Sequence, residues 1–277
     1  MRETNVQTDG LTVGVGILDV EDLRRRVRQV YRDVAIHPEQ GFHFETGRAL
    51  AERLGYPPEE LDAIPAGAIE SFAGVGYPLN LAGIRAGESV LDLGSGSGMD
   101  SMLAGRQVGP AGRVLGVDLT REQFAKAARL AADAGLPQVE FRFGSIEHLE
   151  IDDQCIDVVV SNGAINLAVD KLAVFAEAAR VLRPGGRLAL ADIVSERRLP
   201  ERVVCDASLW ASCIGGAAKR DDYMATIVDA GFTIETLREN QQYRFLSGRA
   251  IDAAERWGVT SISLLAVRNP HATSVRS

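Results

Sequence analysis

The chain has 277 residues, 38 acidic against 30 basic, a formal net charge of −8 and 46% hydrophobic residues. That is enough to bury a large core without covalent staples, and the acidic balance argues against nucleic acid as a partner. Three cysteines suggest no disulfide framework, no run approaches the ~18 apolar residues of a membrane span, and the first ten residues carry no apolar signal region, so a cytoplasmic protein is expected.

Residues 1–18 read as a flexible N-terminus. A helix is expected over 19–35. It carries Arg24, Arg25, Arg26 and Arg28 after Glu21 and Asp22, which suits a solvated helix face; an arginine pocket for an anionic substrate is the alternative. The following loop holds His37 and His43 beside Glu39 and Glu45. Their spacing matches no established ligand motif, so no metal is expected, and His43 is a candidate general base. Further helices are expected over 45–54 and from Pro57-Pro58-Glu59-Glu60-Leu61, with proline near the start. Residues 66–72 lead into the loop Ser71–Pro78, which contains Gly74, Gly76 and Tyr77.

The run Val90-Leu91-Asp92-Leu93-Gly94-Ser95-Gly96-Ser97-Gly98 is the most informative stretch. A buried strand ends near Asp92 and turns tightly into a helix. The alternate glycines remove side chains where a ligand approaches the backbone, and the helix start offers unpaired N–H groups. A phosphate loop would need a lysine that is absent, and a dinucleotide fingerprint would need glycine where Met99 stands. A glycine-rich turn without a ligand is the plain alternative.

A second strand, Val114–Val117, ends in Asp118, an acid placed to accept from both hydroxyls of a ribose. A helix over 121–134 places Phe124, Ala127, Ala128 and Ala131 at helical spacing. A third strand, Val139–Phe143, leads to Gly144-Ser145-Ile146-Glu147, with His148 at its edge. Cys155 reads as packed at the start of a fourth strand, Ile156–Asn162. Asn166 either contacts a substrate or caps a helix beginning near Asp170. That helix, 170–182, ends in the turn Leu182-Arg183-Pro184-Gly185-Gly186-Arg187 before a fifth strand, Leu188–Asp192. Trp210 reads as a pocket wall or core residue in preference to a cation–π contact. Cys205 and Cys213 share a face if helical, or are two small buried hydrophobes. A helix over 219–230 follows. Residues 270–277 read as a flexible tail.

Alternating strands and helices imply a mostly parallel sheet, with ligands at the strands' C-terminal ends. That draws attention to Asn162, Asn166 and Asp192, and to Tyr77, Asn80, Trp210 and Cys213 from flanking segments.

Residues 85 to 195 resemble the Rossmann-like S-adenosylmethionine (SAM) methyltransferases, and the Leu-Arg-Pro-Gly-Gly-Arg turn strengthens the likeness. The resemblance implies an α/β fold with a mostly parallel seven-stranded sheet, helices on both faces, and a closing antiparallel hairpin from 232–240 and 259–267. It also implies an N-terminal helical lid over 19–84, a methyltransferase domain over 85–269 with a C-terminal extension, and SAM as cofactor with S-adenosylhomocysteine as product. The residues carried over to the cofactor are Asp92, Gly94, Ser95, Gly96, Gly98, Asp118, Leu119, Gln123, Ser145, Ile146, Glu147 and Asn162; Asp157 is expected to be structural.

A narrower resemblance rests on Val27-Arg28-Gln29-Val30-Tyr31, Ser161-Asn162-Gly163-Ala164-Ile165-Asn166-Leu167, Asp170-Lys171 and Leu209–Ala217. Over residues 25 to 235 the chain resembles the arsenite methyltransferases, which bind trivalent arsenic through cysteine thiolates and methylate it from SAM. Here Gly163 stands at one family cysteine position, the loop Ser71–Pro78 has none, and Cys213 alone remains. Soft arsenic prefers several thiolates. The chain therefore either takes arsenicals already thiolated or methylated, or serves a small organic acceptor (C-, S-, N- or O-methylation), or binds SAM without turnover. Candidate acceptor-site residues are Asn162, Asn166, Cys213, Tyr77 and His43. A small-molecule methyl acceptor is the expected partner, without nucleic acid or membrane; the sequence does not fix the oligomeric state.

Overall fold

The computed structural model describes residues 20–42, 44–204, 209–210 and 214–270. His43, Cys205, Cys213 and the two expected flexible ends, apart from Pro270, lie outside the described residues.

Seven strands form one sheet in the order β3-β2-β1-β4-β5-β8-β7, where β1 is Ser89–Leu93, β2 Arg113–Asp118, β3 Val139–Phe143, β4 Ile156–Asn162, β5 Leu182–Ser195, β7 Phe232–Glu239 and β8 Val259–Arg268. A two-residue β6, Ala218–Lys219, pairs with β5 off this path. The pairs from β3 to β5 are parallel, and β8 runs antiparallel to both β5 and β7. Strand order reverses between β1 and β4, which opens a crevice beyond their C-terminal ends.

Alternation along the strands builds a core on each face. Val90, Val158, Val160 and Ala189 join the cluster containing Leu50, Leu61 and Met102. Leu91, Leu93, Val159, Leu188 and Leu190 face Phe175, Tyr223 and Ile227. The N-terminal helices are α1 (Val20–Ile36), α2 (Arg48–Leu54), α3 (Pro58–Leu61), α4 (Ala66–Glu70) and α5 (Leu79–Ala82). The helices of the sheet domain are α6 (Met99–Val108), α7 (Arg121–Asp133), α8 (Lys171–Val181), α9 (Glu201–Val204), α10 (Arg220–Asp229) and α11 (Gly248–Trp257).

Three local expectations need correction. The segment from Leu182 is strand throughout: Gly185 takes φ 76°, and the register against β4 shifts between Ile156 and Val158. Glycine absorbs this irregularity inside β5, so no separate turn precedes the strand. The β7–β8 pair is antiparallel as expected, but α11 lies between the two strands, so they do not form a hairpin. The helix capped by Asp170 takes its N-cap bond from Asp170 itself, whose carboxylate accepts from Ala173 N, and not from Asn166. Among the described residues no helix is long and apolar enough to cross a membrane.

Candidate functional site

The glycine turn sits at the switch point. Gly94 N (2.8 Å) and Ser95 N (3.1 Å) both donate to Val117 O, so β2 pins the turn that leaves β1. A cleft of about 1140 Å³, counted to its open mouth, lies above it. Of the residues assigned to a cofactor from the sequence, Asp92, Gly94, Ser95, Gly96, Asp118, Leu119, Gln123, Ser145, Ile146, Glu147 and Asn162 line this cleft. Gly98 does not; a Cβ there would stand 2.6 Å from the Phe141 ring, so its missing side chain lets the loop sit against β3.

Asp118 ends β2 and turns its carboxylate back on the glycine turn. Its Oδ2 accepts from Gly96 N at 2.9 Å and its Oδ1 from Thr120 N at 2.7 Å. Burial pushes this carboxyl above its ordinary range, against the pull of those backbone bonds. Gln123, 1% exposed, ties the cleft to α1 by donating to Tyr31 O at 2.9 Å.

Two residues that sequence reasoning missed, Asp100 and Tyr56, complete the acid wall. Asp100, in the first turn of α6, lines the cleft; its Oδ1 accepts from Tyr56 OH at 2.6 Å and its Oδ2 from Asn162 Nδ2 at 3.0 Å. Asp92 accepts from Ser101 Oγ at 2.6 Å. Asn162 is held in turn by Val75 N, which donates to its Oδ1 at 2.8 Å. The strand end, the α6 start and the loop after Phe72 are thereby locked together. Burial raises both Asp92 and Asp100, and the charge of Asp100 raises Asp92 further.

Much of the remaining lining is apolar: Leu23, Val27, Tyr31, Phe72, Ala164 and Leu167 contribute to it, with Ala73, Gly74 and Gly163. A Cβ on Gly163 would have its nearest neighbour, Val75 Cγ1, at 3.4 Å and Ala73 O at 3.8 Å. Tyr77 does not line the cleft; its ring lies against Tyr56 with centroids 4.0 Å apart, and its hydroxyl donates to Glu60 at 3.2 Å. Asn166 is also outside the lining, fully buried behind it, where its backbone N–H supports Asp192. Trp210 is buried as expected, yet Lys171 Nζ lies 5.3 Å over its ring, so it makes a cation–π contact as well. Asp157 has the expected structural part, accepting from Ser89 N at 2.8 Å and pairing with Arg183. Cys155 donates to Asp152 O at 3.0 Å, away from the cleft. Among the described residues no cluster of three or more His, Cys, Asp or Glu could hold a metal ion.

Glu147 joins three walls of the cleft. One oxygen accepts from Val169 N (2.8 Å) and Asp170 N (2.9 Å); the other accepts from Arg24 at 2.6 Å. The arginine run is thus divided: Arg25 and Arg26 pair with Asp22 on the solvated face, while Arg24 turns into the cleft. The C-terminal half of α1 is fixed to α7 through Arg32–Glu122 (3.0 Å), Gln123 and Lys126, so Arg24 secures its other half. Arg24→Ala is expected to raise the rate at which a ligand leaves the cleft about 3- to 10-fold. Thermal stability should hardly change, because the pair is partly exposed. Stopped-flow dissociation beside a melting curve checks this; an unchanged off-rate would deny Arg24 that part.

Comparison with known proteins places this geometry. The family described as a methyltransferase domain matches residues 84–231. An arsenite methyltransferase of Halobacterium salinarum is 37% identical over 88% of this chain and 66% of its own length. That of Aquipseudomonas alcaligenes is 45% identical over 56% of this chain and 47% of its own. The chain therefore spans about two thirds or less of the length of these curated relatives. An arsenic (III) S-adenosylmethionine methyltransferase from Chlamydomonas reinhardtii superposes with a TM-score of 0.61 at 30% identity, covering 83% of this chain and 77% of that one. A geranyl diphosphate C-methyltransferase from Streptomyces coelicolor gives 0.65 at 19% identity, covering 89% of this chain and 97% of that one, a likeness of fold alone.

Proposed function

The chain belongs to the methyltransferase-domain family, and from that premise we propose that it is a SAM-dependent methyltransferase of the arsenite type, acting on a trivalent arsenical that arrives with thiolate ligands of its own. The observation that carries the reading is the glycine turn at the β1/β4 switch point with Asp118 bonded across it. The fit to the cofactor is chemical. The turn leaves room for a ligand against bare backbone, Asp118 keeps lone pairs free for a ribose, and the buried acids suit a cation. Asp92, Gly94, Ser95, Gly96, Asp118, Leu119, Gln123, Ser145, Ile146 and Asn162 are the residues proposed to hold it, with Glu147 bracing the rim. SAM, when bound, supplies a methyl group made electrophilic by its sulfonium.

The chain's own task is to align the acceptor and exclude water. The apolar wall from Leu23 to Leu167 and the α1 cover serve that task. An arsenic lone pair loses no proton on methylation, so this acceptor needs no general base. Neither Gly163 nor the loop Ser71–Pro78 offers a thiolate, which favours an arsenical carrying its own sulfur ligands. Cys213 and His43 remain proposed acceptor-side residues. The segment 19–84 is proposed as the lid and 85–269 as the catalytic domain, in a cytoplasmic enzyme whose acidic surface favours a small-molecule acceptor over nucleic acid.

The test is S-adenosylhomocysteine release from protein, SAM and arsenite with excess glutathione, beside a control without arsenite. Arsenite-dependent turnover supports the reading. Intact SAM binding without turnover would move the function to the second reading, a small organic acceptor, which the same thiol-free apolar wall also suits. Gly163→Cys adds a sharper arm. Its Cβ has room, and the left-handed backbone at φ 71° costs about 1–2 kcal/mol. The variant is expected to bind arsenite at least about tenfold more tightly at low glutathione, as a protein thiolate replaces a free one. Unchanged affinity in a folded G163C protein would place the acceptor elsewhere.

A further inference from the structure

The acid wall has an electrostatic property that the cofactor reading does not require. Asp92 is 2% exposed and Asp100 is 6% exposed. Their partners are all neutral: Ser101 for Asp92, Tyr56 and Asn162 for Asp100. Among the described residues neither carboxyl has an ion pair with Lys or Arg. Arg24, the cation that lines the cleft, is engaged by Glu147. Two buried like charges without a counter-ion are costly, and such a pair holds a proton.

Resting on the cofactor reading above, we propose that Asp100 is a binding residue for the positively charged end of SAM, and that the Asp92–Asp100 pair gives up a proton when that cation enters. SAM carries a sulfonium and an ammonium against one carboxylate, a net charge of about +1; S-adenosylhomocysteine keeps the ammonium and the carboxylate and is neutral overall. The pair therefore favours SAM over the spent product by charge. Loss of the sulfonium charge on methyl transfer lets the proton return from solvent, which loosens the product.

The groups that face the pair keep this linkage simple. Asp118, from the end of β2, adds a third negative charge bearing on Asp92. Tyr56 and Tyr77 stand on the N-terminal side; burial and the neighbouring carboxyls hold both phenols above their ordinary value, so they stay neutral donors through the neutral range. Asn162 does not titrate. The direction follows from these signs. Burial raises the empty pair, a bound cation lowers it, and protons leave on binding. SAM affinity should rise with pH, by up to about tenfold per pH unit across the titration, and S-adenosylhomocysteine affinity should rise less.

Titration calorimetry near pH 7 in two buffers of different ionisation enthalpy reads the proton directly, without any turnover. The wild-type protein is expected to release protons on binding SAM and fewer on binding S-adenosylhomocysteine. Asp100→Asn, close in shape, is expected to bind SAM on the order of 10- to 100-fold more weakly and to lose the difference between buffers. Tight SAM binding by the wild-type protein with a buffer-independent enthalpy would overturn the proton linkage and leave the cofactor reading standing. Absence of any SAM binding would overturn both.

Discussion

Asp118→Ala is expected to weaken SAM binding by about 100-fold or more, roughly 3 kcal/mol, with the protein still folded. The carboxylate has two tasks in the structure. It accepts from Gly96 N and Thr120 N, which fixes the glycine turn relative to α7, and it lines the cleft with its remaining lone pairs. Alanine removes the acceptors proposed for the ribose hydroxyls and leaves the Gly96 and Thr120 N–H groups to find water. Asp118→Asn separates the two tasks only partly: its oxygen can keep Thr120, but its amide presents a donor to the Gly96 donor. The asparagine variant is therefore expected to fall between the wild type and alanine. Calorimetric binding with a circular dichroism control measures all three, and a folded alanine variant with unchanged affinity would remove Asp118 from the cofactor site.

The parts of the fold that were legible in the sequence share a cause. Strands β1, β2 and β4 are dense apolar or β-branched runs that stop at Leu93, Asp118 and Asn162, and such largely buried runs leave little freedom of interpretation. Helix α11 is equally marked: Ser247 caps it through Ala250 N, and Gly258 closes it in a left-handed conformation. The expectation of a closing hairpin from 232–240 and 259–267 outweighs those signals when the sequence is read alone. The site is legible where it is local. Gly94 to Gly96 and Asp118 announce themselves by position, whereas Tyr56–Asp100 and Arg24–Glu147 join residues 44 and 123 positions apart. No periodicity predicts such pairs, because they are set by how α1 and the segment after α2 fold over the sheet. For the same reason Tyr77 is the wrong tyrosine to single out. Its tilted ring packs against Tyr56, and Tyr56 is the one whose hydroxyl reaches the acid wall. Arg24 is hidden among its neighbours for a related reason: one turn of helix presents residues to different surroundings, and a run of like charges conceals which one faces inward.

Gly94→Ala is expected to cost about 2–5 kcal/mol of stability and to abolish detectable SAM binding. Two effects add. Gly94 takes φ 76°, a conformation that strains any residue with a Cβ by about 1–2 kcal/mol. The new Cβ would also stand 2.2 Å from Ala164 Cβ, far inside contact distance, so the loop after β4 must move. Ala164 lines the cleft beside Gly163, so its displacement reshapes the space proposed for cofactor and acceptor. Gly185 supplies the control within the same molecule. It shares φ 76°, but a Cβ added there would meet nothing within 4 Å, and it lies away from the cleft. Gly185→Ala should therefore show the backbone strain alone, about 1–2 kcal/mol, with SAM affinity intact. Denaturant unfolding of both variants, paired with calorimetric binding, isolates the steric part by difference. Equal destabilisation of the two, or SAM binding retained by G94A, would mean that the loop after β4 yields freely and that the closeness of Gly94 to Ala164 does not shape the site.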